Sequence, residues 1–534
     1  MAVMPLPHRV LRTLARPNAT LTALALSCAA ALAIAGCTSA TTSAPVATSP
    51  AGRDVPQTGA AAVHWHSCSV SGIGMKCASL SVPLDYAHPT GRKITLALSM
   101  IPATAPAAKR QGDLLVNPGG PGGSGRYLAA VVGFGLDHAV ASEYNIIGFD
   151  PRGVGASVPA LHCDPSFFAG VRPNYIPASH AAEQVLINRA KVYAADCEHR
   201  FGWLLPYMTT VDAAKDMDSI RAALGQSKIS YFAYSYGTYL GQVYATLFPQ
   251  RVRRMVLDST VNPAGAWYND NISQDYAFQG RQEAFFSWVA SHNDTFGLGT
   301  TRAKVQAAWY RARGDLAAHP ISGPNGPMIG PDEYDDTFLQ GGYDNALWPG
   351  LATALSAYLQ NGSTERIRSE YRSLGAQNEN EFAVYNAVEC SDVNWPRNWA
   401  RWDTDTRHVY ATAPFEAWDN AWFNAACAFW PVHGPAQPLH IKGAGLPGIL
   451  MIQGTLDAAT PYRGAQVAHR LLPSARMVVV KGGGNHGQSL SQPPNICVNN
   501  YLNAYLGTGA LPQHPGKVNA TCPALPDPTP GSAG

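Results

Sequence analysis

The sequence predicts an α/β fold built on a mostly parallel sheet, and three observations favour it. Short apolar runs, each followed by a turn and then a helical pattern, recur four times between residues 114 and 258. This alternation is typical of parallel α/β sheets. Two similar runs resume after a long gap. The composition, 46% hydrophobic and only 14% charged, indicates a globular chain with a well-filled interior.

The predicted strands follow directly from these runs. In the parallel part they are 114–117, 144–150, 229–234, 255–258, 448–453 and 477–480. Upstream, residues 78–84 and 94–101 are expected to form antiparallel edge strands joined through residues 85–92.

The long gap divides one core into two segments. Residues 64–261 and 445–525 are expected to form the core, and residues 262–444 a helical cap inserted before the last strands. Helical patterns at 277–291 and 301–316 support the cap. The chain is therefore expected to form one large domain with an insertion.

Two further segments complete this organisation. Six of the twelve tryptophans fall between Trp395 and Trp430; they could line a pocket, but packing of the cap is the favoured interpretation. Residues 526–534 are expected to be a disordered tail.

The first 36 residues indicate an export signal. They contain Arg9, Arg12 and Arg16, no acid, and an apolar run that is too short to span a bilayer comfortably. The run ends in Leu-Ala-Ile-Ala-Gly before Cys37, which resembles a bacterial lipobox. Residues 1–36 are thus expected to be a lipoprotein signal peptide and Cys37 the lipidated N-terminus. An ordinary signal peptide with a chance cysteine is the alternative.

The segment after the leader has the composition of a flexible tether. Residues 37–63 are rich in Thr, Ser, Ala, Pro and Gly and offer little to bury. Beyond Gly36 the chain has 35 basic and 36 acidic residues. This balance gives no reason to expect a nucleic-acid partner. We expect a cell-envelope lipoprotein, held at the membrane by its lipid anchor, or an extracellular protein.

Eight of the ten cysteines remain once Cys28 leaves with the leader and Cys37 is lipidated. An even number in an exported chain suggests disulfides, although a sequence cannot fix their connectivity. Zinc binding is the competing interpretation, but the chain has no CxxC pair or close His/Cys cluster, and no metal is expected. The simplest arrangement pairs the cysteines in order, as Cys68 with Cys77, Cys163 with Cys197, Cys390 with Cys427, and Cys497 with Cys522.

A serine follows one of the predicted strands in a pattern that indicates chemistry. Strand 229–234 is β-branched and aromatic, it runs straight into Ser235, and helical sequence follows. Strand, sharp turn, serine and helix form the nucleophile elbow of α/β-hydrolases. The tight turn requires small neighbours, and Ala233 and Gly237 meet this need, although Ala233 replaces the usual glycine. The alternative is a structural serine in a βα turn.

A serine hydroxyl needs a base, and the base needs an acid that holds its tautomer. In this fold the acid and the histidine follow late strands, in the chain order Ser, Asp, His. Asp457 follows strand 448–453, and His486 follows strand 477–480 in a glycine-rich loop. Asp258 also ends a strand and is a rival acid. Its simpler role is to hydrogen-bond the turn that it starts.

The tetrahedral intermediate requires backbone donors directed at its oxyanion. The N–H of Tyr236 is one expected donor, and the other is expected from the loop 118–125, Pro-Gly-Gly-Pro-Gly-Gly-Ser-Gly. Glycines allow close approach of the main chain to a substrate. Phosphate binding by this loop would require a different spacing, which the sequence lacks. The chemistry requires no organic cofactor.

Together these motifs resemble the tripeptidyl aminopeptidase branch of the prolyl aminopeptidase family of α/β-hydrolases, especially its secreted actinobacterial members. The resemblance is carried by residues 117–125, 148–155 and 234–239 and extends from about Cys68 to Cys522. It implies a serine exopeptidase that releases short peptides, typically tripeptides, from free N-termini.

The resemblance also bears on the loop before the oxyanion site. It implies that Gly120 is the second oxyanion donor. Proline-specific members of the family have His-Gly-Gly-Pro, whereas this chain has Pro118 at the first of these positions. Strict proline specificity is therefore not implied.

An aminopeptidase must bind a free ammonium group, for which carboxylates are the simplest partners. Glu389 and Asp392, on either side of Cys390, are the candidates in the cap. A solvated acidic surface is the alternative. An esterase or lipase would use the same triad, and an inactive binding lipoprotein could use the same scaffold. The acids of the cap favour a peptidase over a lipase, and the complete triad favours an enzyme.

Overall fold

The computed structural model describes residues 63–324 and 326–531. The leader, Cys37 and most of the expected tether lie outside the described residues. Within the described part, no helix is long and apolar enough to cross a membrane.

Ten strands form one twisted sheet and two form a small hairpin in the cap. In the order β1-β2-β3-β5-β4-β6-β7-β10-β11-β12 the sheet is antiparallel up to β5 and parallel from β5 onward. The bounds in the described residues are β1 His66–Val70, β2 Ile73–Pro83, β3 Lys93–Ile101, β4 Gly112–Asn117, β5 Tyr144–Asp150, β6 Ile229–Tyr234, β7 Val252–Asp258, β8 Ile321–Gly323, β9 Gly326–Ile329, β10 Ile449–Gly454, β11 Ala475–Lys481 and β12 Ala520–Pro523.

The predicted parallel strands are confirmed, but two short strands of the sheet and both strands of the hairpin in the cap were missed. Strands β2 and β3 are antiparallel as expected, yet they do not form the edge of the sheet, because β1 covers β2. The other edge is β12 rather than β11. Strand β1 is mostly exposed and β12 has four residues, so neither carries a clear apolar pattern. A disulfide fixes each of them, Cys68–Cys77 and Cys497–Cys522.

Helices cover both faces of the sheet. Helices α1 and α16 pack on one face, and α4, α5 and α15 on the other. The α-helices of the described residues are α1 Leu128–Gly135, α2 His138–Ala141, α3 His180–Phe201, α4 Thr210–Ala223, α5 Tyr236–Leu247, α6 Tyr268–Ser291, α7 Asn293–Phe296, α8 Arg302–Ala318, α9 Pro331–Tyr343, α10 Trp348–Asn361, α11 Glu365–Glu370, α12 Glu379–Asp392, α13 Trp399–Tyr410, α14 Ala417–Asn424, α15 Tyr462–Leu471 and α16 Ile496–Thr508.

Helices α6 to α14 and the β8–β9 hairpin lie between β7 and β10, where the helical cap was expected. Helices α6 to α10 have their own apolar core, which includes Phe285, Trp309 and Trp348. This core also contains Ala458, the residue after Asp457. The cap is therefore packed directly against the carboxyl edge of the sheet.

The tryptophans of the cap stack on one another, as the packing interpretation predicted. Trp399 lies between Trp402 and Trp422, with ring centroids 5.8 and 4.6 Å away and nearly parallel planes. Trp395 and Trp418 extend the stack at its two ends.

Two other expectations have clear outcomes. The four disulfides join the cysteines in sequential order, as predicted. Residues 526–531, expected to belong to a disordered tail, instead contact the cap. Asn345 Nδ2 donates to Asp527 Oδ1 at 2.9 Å, and the indole N–H of Trp288 donates to the carbonyl of Pro528 at 3.0 Å. These bonds come from residues about 180 and 240 positions away, so local composition could not reveal them.

Candidate active site

Ser235 occupies the turn between β6 and α5. Its backbone has φ +55° and ψ −134°, a conformation that non-glycine residues rarely adopt. Strand β6 is buried along its whole length, and α5 begins at the next residue, Tyr236. The strand, turn and helix of a nucleophile elbow are thus present, and Ser235 is half-buried at the carboxyl edge of the sheet.

Two glycines leave the space that this turn requires. A Cβ on Gly237 would lie 2.6 Å from Asn117 Oδ1 and 2.9 Å from the Cβ of Ala233. A Cβ on Gly119, which has φ +101°, would lie 2.8 Å from the Cβ of Ser235. Real Cβ atoms do not approach so closely, so neither position accepts a side chain without displacement.

His486 and Asp457 meet at the same edge of the sheet. His486 Nδ1 lies 3.0 Å from Asp457 Oδ1 and 3.2 Å from Oδ2. Thr460 holds the carboxylate with its backbone N–H and its hydroxyl, each at 3.0 Å. When Nδ1 donates to the carboxylate, Nε2 is the acceptor that a general base requires. Nε2 is buried and has no hydrogen-bond partner among the described residues.

The backbone of His486 is also fixed by the cap. Its N–H donates to the carbonyl of Tyr343 at 2.7 Å, and the Tyr343 ring meets the imidazole edge-on with centroids 5.6 Å apart. Tyr343 is the last residue of α9. The orientation of the imidazole therefore depends on both the core and the cap.

Asp258, the rival acid, makes no hydrogen bond to the imidazole nitrogens in the part of the chain that the structure describes. Its carboxylate instead accepts hydrogen bonds from Gln488 and Ser489, in the loop just after His486. Its bond with the hydroxyl of Ser259, in the turn that it starts, is long at 3.4 Å. The geometry thus favours Asp457 as the partner of the histidine.

The loop 118–125 lies beside Ser235, as the oxyanion prediction requires. Gly119 and Gly120 have φ +101° and +115°, and the N–H of Gly119 donates to Asn117 Oδ1 at 2.9 Å. Gly120 and Tyr236 line the same cavity as Ser235. Both residues therefore lie close to the nucleophile.

A cavity of about 470 Å³ opens onto Ser235 beneath the cap. Helix α6 contributes one wall, and residues 459–467, which include the first turns of helix α15, contribute another. Its lining combines apolar, amide and acidic groups, and it comprises Gly120, Ser235, Tyr236, Val261, Asn262, Trp267, Asp270, Asn271, Ser273, Gln274, Tyr276, Glu389, Ala459, Thr460, Pro461, Arg463, Gly464 and Val467.

Two carboxylic acids line this cavity. Glu389 is 2% exposed, and burial raises its pKa to about 8. Its Oε2 lies 3.4 Å from Asn271 Nδ2. Burial raises the pKa of Asp270 to about 7; its Oδ1 accepts from Asn262, and its Oδ2 has no hydrogen-bond partner among the described residues. Asp270 was not anticipated, because nothing near it in the sequence distinguishes it from an ordinary helix acid.

Asp392, the other expected amine binder, is not among the residues that line the cavity. Its carboxylate accepts from the backbone N–H of Thr210 at 2.7 Å and from the Thr210 hydroxyl at 2.5 Å. That hydroxyl lies 2.7 Å from the hydroxyl of Tyr236. Asp392 therefore supports the residue after the nucleophile, whereas Glu389 faces the cavity.

The fold and this site define a class of protein, and comparison with known sequences agrees. A model of the α/β-hydrolase fold family matches residues 114–491. The chain therefore belongs to the α/β-hydrolase family. Over 463 residues it is 41% identical to a tripeptidyl aminopeptidase of Streptomyces lividans, across 84% of this chain and 85% of that protein.

Two mycobacterial relatives extend the comparison. The chain is 31% identical over 481 residues to the serine protease Hip1 of Mycobacterium tuberculosis, across 84% of this chain and 89% of that protein. It is 32% identical over 476 residues to carboxylesterase B of the same species, across 84% and 88% of the two chains. The sequence is thus that of a serine hydrolase similar to tripeptidyl aminopeptidases.

Proposed function

We propose that this protein is a serine exopeptidase that releases short peptides, typically tripeptides, from free N-termini. The observation that carries the proposal is a cavity that contains the elbow serine, Ser235, together with the buried acid Glu389 and the half-buried acid Asp270. Similarity to a tripeptidyl aminopeptidase and to a serine protease supports a peptide substrate.

The proposed chemistry starts with Ser235 and His486. Nε2 of His486 takes the hydroxyl proton as Ser235 Oγ attacks the scissile carbonyl, and Asp457 stabilises the imidazolium that forms. The N–H groups of Tyr236 and Gly120 donate to the oxyanion. His486 then protonates the leaving amine, which leaves an acyl-enzyme, and a water molecule activated by the same imidazole hydrolyses it.

The acids of the cavity supply the proposed selectivity for a free N-terminus. A bound ammonium lowers the raised pKa of a neighbouring acid and so favours its ionised form. The carboxylate then attracts the ammonium strongly, because the low local dielectric weakens screening. Glu389 and Asp270 are the proposed amine binders, because both line the cavity that contains Ser235. Asp392, whose oxygens bond Thr210, is proposed to position Tyr236 rather than to touch the substrate.

The test compares hydrolysis of Ala-Ala-Ala and Ala-Ala-Pro anilides with free and with acetylated N-termini, beside single-residue anilides and a short ester. Ser235→Ala is the control for the nucleophile, and Asp457→Asn should reduce kcat by orders of magnitude. Cleavage of free-amine tripeptides alone, absent in Ser235→Ala, is the expected result. Ester cleavage without peptide cleavage would instead favour the activity named for the carboxylesterase relative.

We also propose that the protein is exported and anchored through lipid on Cys37. The lipobox-like sequence before Cys37 supports this. Four disulfides support it too, because disulfides persist in oxidising compartments outside the cytosol. Mass spectrometry of the membrane fraction should find diacylglyceryl at Cys37, and Cys37→Ala should abolish it. An unmodified Cys37 in the mature protein would refute the anchor.

A further inference from the structure

Asp258 is a fully buried carboxylate for which the proposed chemistry has no role. It ends β7, the strand next to β6, which carries the nucleophile. Its carboxylate accepts from the N–H of Gln488 at 3.0 Å, from the N–H of Ser489 at 2.7 Å and from the Ser489 hydroxyl at 2.5 Å. These donors lie two and three residues after His486.

The next residue, Ser259, binds the same segment after His486. Its φ is +58°, which is rare for a residue with a side chain. In this conformation its hydroxyl accepts from the N–H of Gly487 at 2.8 Å, and its own N–H donates to the carbonyl of Ile452 at 3.0 Å. Residues 258 and 259 thus bind three consecutive backbone N–H groups, those of residues 487 to 489, immediately after the histidine.

The other end of Asp258 is bonded to the nucleophile. The N–H of Ser235 donates to the Asp258 carbonyl at 3.2 Å. A second link runs from the Tyr234 hydroxyl to the carbonyl of Ser489, at 2.9 Å. The nucleophile and the histidine loop, which are more than 200 positions apart in the chain, are therefore connected through Asp258 and, separately, through Tyr234.

We propose that Asp258 and Ser259 form a clamp that sets the position of His486 relative to Ser235. Asp258 is a positioning residue and not the acid of the triad, because His486 Nδ1 is bonded to Asp457. The inference takes Ser235 and His486 as nucleophile and base, and so it rests on the proposed function.

The three donors explain why the clamp uses a carboxylate. An ionised carboxylate is acceptor-only and can satisfy all three, whereas an amide offers one oxygen and turns an NH₂ group toward an N–H. The mismatch would leave a buried donor unsatisfied, and hydrogen bonds to charged groups are stronger than neutral ones. Asparagine therefore keeps the shape of the side chain but should loosen the loop.

The decisive test measures Asp258→Asn by steady-state kinetics and by the rate at which a small fluorophosphonate labels the serine. The labelling rate reports the serine and histidine geometry without depending on peptide binding. We expect kcat and the labelling rate to fall at least about tenfold, with KM within about twofold of the wild-type value. Asp113→Asn is the matched control: Asp113 is also buried and accepts from Asn145, but it lies near the opposite end of β4.

Two milder variants keep the test decisive if Asp258→Asn does not fold. Ser489→Ala and Ser259→Gly each remove one hydroxyl of the clamp, and glycine tolerates the positive φ of residue 259. Each should lower the labelling rate about threefold or more. Wild-type labelling rates in both variants would overturn the clamp.

The outcomes also separate this inference from the proposed function. If Ser235→Ala is still labelled, the nucleophile is wrong, and the proposed function and the clamp fail together. If Ser235→Ala is not labelled by the fluorophosphonate while Asp258→Asn is labelled at the wild-type rate, only the clamp is refuted. If Asp457→Asn is mild and Asp258→Asn is as inactive as His486→Ala, Asp258 is the triad acid and the clamp is again refuted.

Discussion

The conformation of Ser235 depends on residues that lie outside its own strand. The loop after β4 approaches the turn so closely that a Cβ on Gly119 would lie 2.8 Å from both the Tyr234 carbonyl oxygen and the Ser235 Cβ. The positive φ of residue 119 favours glycine for local backbone reasons, and the close approach to Ser235 is a second, independent reason. The absence of a Cβ at residue 119 is therefore a requirement of the nucleophile as well as of the loop.

Gly119→Ala should consequently abolish most activity. The new Cβ would meet the Cβ of Ser235 at 2.8 Å and push apart the serine and the oxyanion loop. Removing one oxyanion donor lowers kcat by about 100-fold or more, and we expect a loss of this order. Gly225→Ala is the control, because residue 225 also has positive φ but meets nothing within 4 Å. Equal loss of activity in both variants would mean that backbone strain, not the contact, is responsible.

The charge of Glu389 should also distinguish substrates with a free N-terminus from substrates with an acetylated one. Glu389→Gln removes the buried carboxylate that faces the cavity, so KM for free-amine tripeptide anilides should rise about tenfold or more, the loss expected for a charge-assisted hydrogen bond. Glu379→Gln is a control of the same chemistry on the same helix, because Glu379 bonds His162 and the backbone of Cys163 instead. An unchanged KM in Glu389→Gln would remove this residue from amine recognition.

At the scale of elements, helix α12 links the cavity to the rest of the cap. It carries Glu389 toward the cavity and Asp392 toward Thr210, and Cys390 between them is bonded to Cys427. The indole N–H of Trp395 donates to the carbonyl of Glu389 at 2.7 Å. The last turn of this helix is thus fixed by a disulfide and by hydrogen bonds to neighbouring residues.

Replacing Cys390 and Cys427 with serine should weaken both the fold and substrate binding. The disulfide spans 37 residues, and the chain-entropy model gives about 4 kcal/mol for a loop of this size. We expect a lower Tm in calorimetry and a rise in KM that exceeds any fall in kcat. The matched control replaces Cys68 and Cys77, whose disulfide spans nine residues of the β1–β2 pair. A KM effect as large in the control would show that the loss is global.

At the scale of the whole molecule, desolvation raises the pKa of several carboxylic acids. Burial raises the pKa of Glu389 to about 8, those of Asp270 and Asp392 to about 7, and that of Asp258 to about 6. Their ordinary values are 4.5 for Glu and 3.8 for Asp. Between these limits the folded chain binds more protons than the unfolded chain. The stability contributed by these groups therefore falls as pH rises through this window.

The fall in stability with rising pH predicts how Glu389→Gln changes the pH dependence of stability. Below about pH 4.5 the glutamate is protonated in both states, so the variant and the wild type should differ little. As pH rises toward 8, Glu389 ionises in the unfolded wild type but stays protonated in the folded wild type. This stabilises the unfolded wild type relative to the folded one, so the variant should become the more stable of the two. Calorimetry from pH 4 to pH 9 measures this difference in Tm. A difference that stays constant or shrinks with pH would contradict the assignment.

Much of the molecule was predictable because its signals are local. The parallel strands, the elbow at Ser235 and the positions of Asp457 and His486 follow from apolar runs, glycines and strand ends read along the chain. The disulfide pairs were predicted because nearby cysteines close short loops. The short edge strands β1 and β12 were missed, since too few of their residues are buried to leave a pattern.

The class of fold, the chain order of serine, aspartate and histidine, and the glycine loop beside them all follow from the sequence alone. Hydrophobic periodicity and the backbone freedom of glycine are properties of short stretches of the chain, so they can be recognised without the structure. The partner and the position of each carboxylate became clear only in the tertiary structure. It placed Asp457 on the imidazole and Asp258 on the following loop, and it brought Glu389 and Asp270 into one cavity while Asp392 turned to Thr210. These choices depend on side-chain direction and on partners far away in the chain, and neither is encoded in any short stretch of residues.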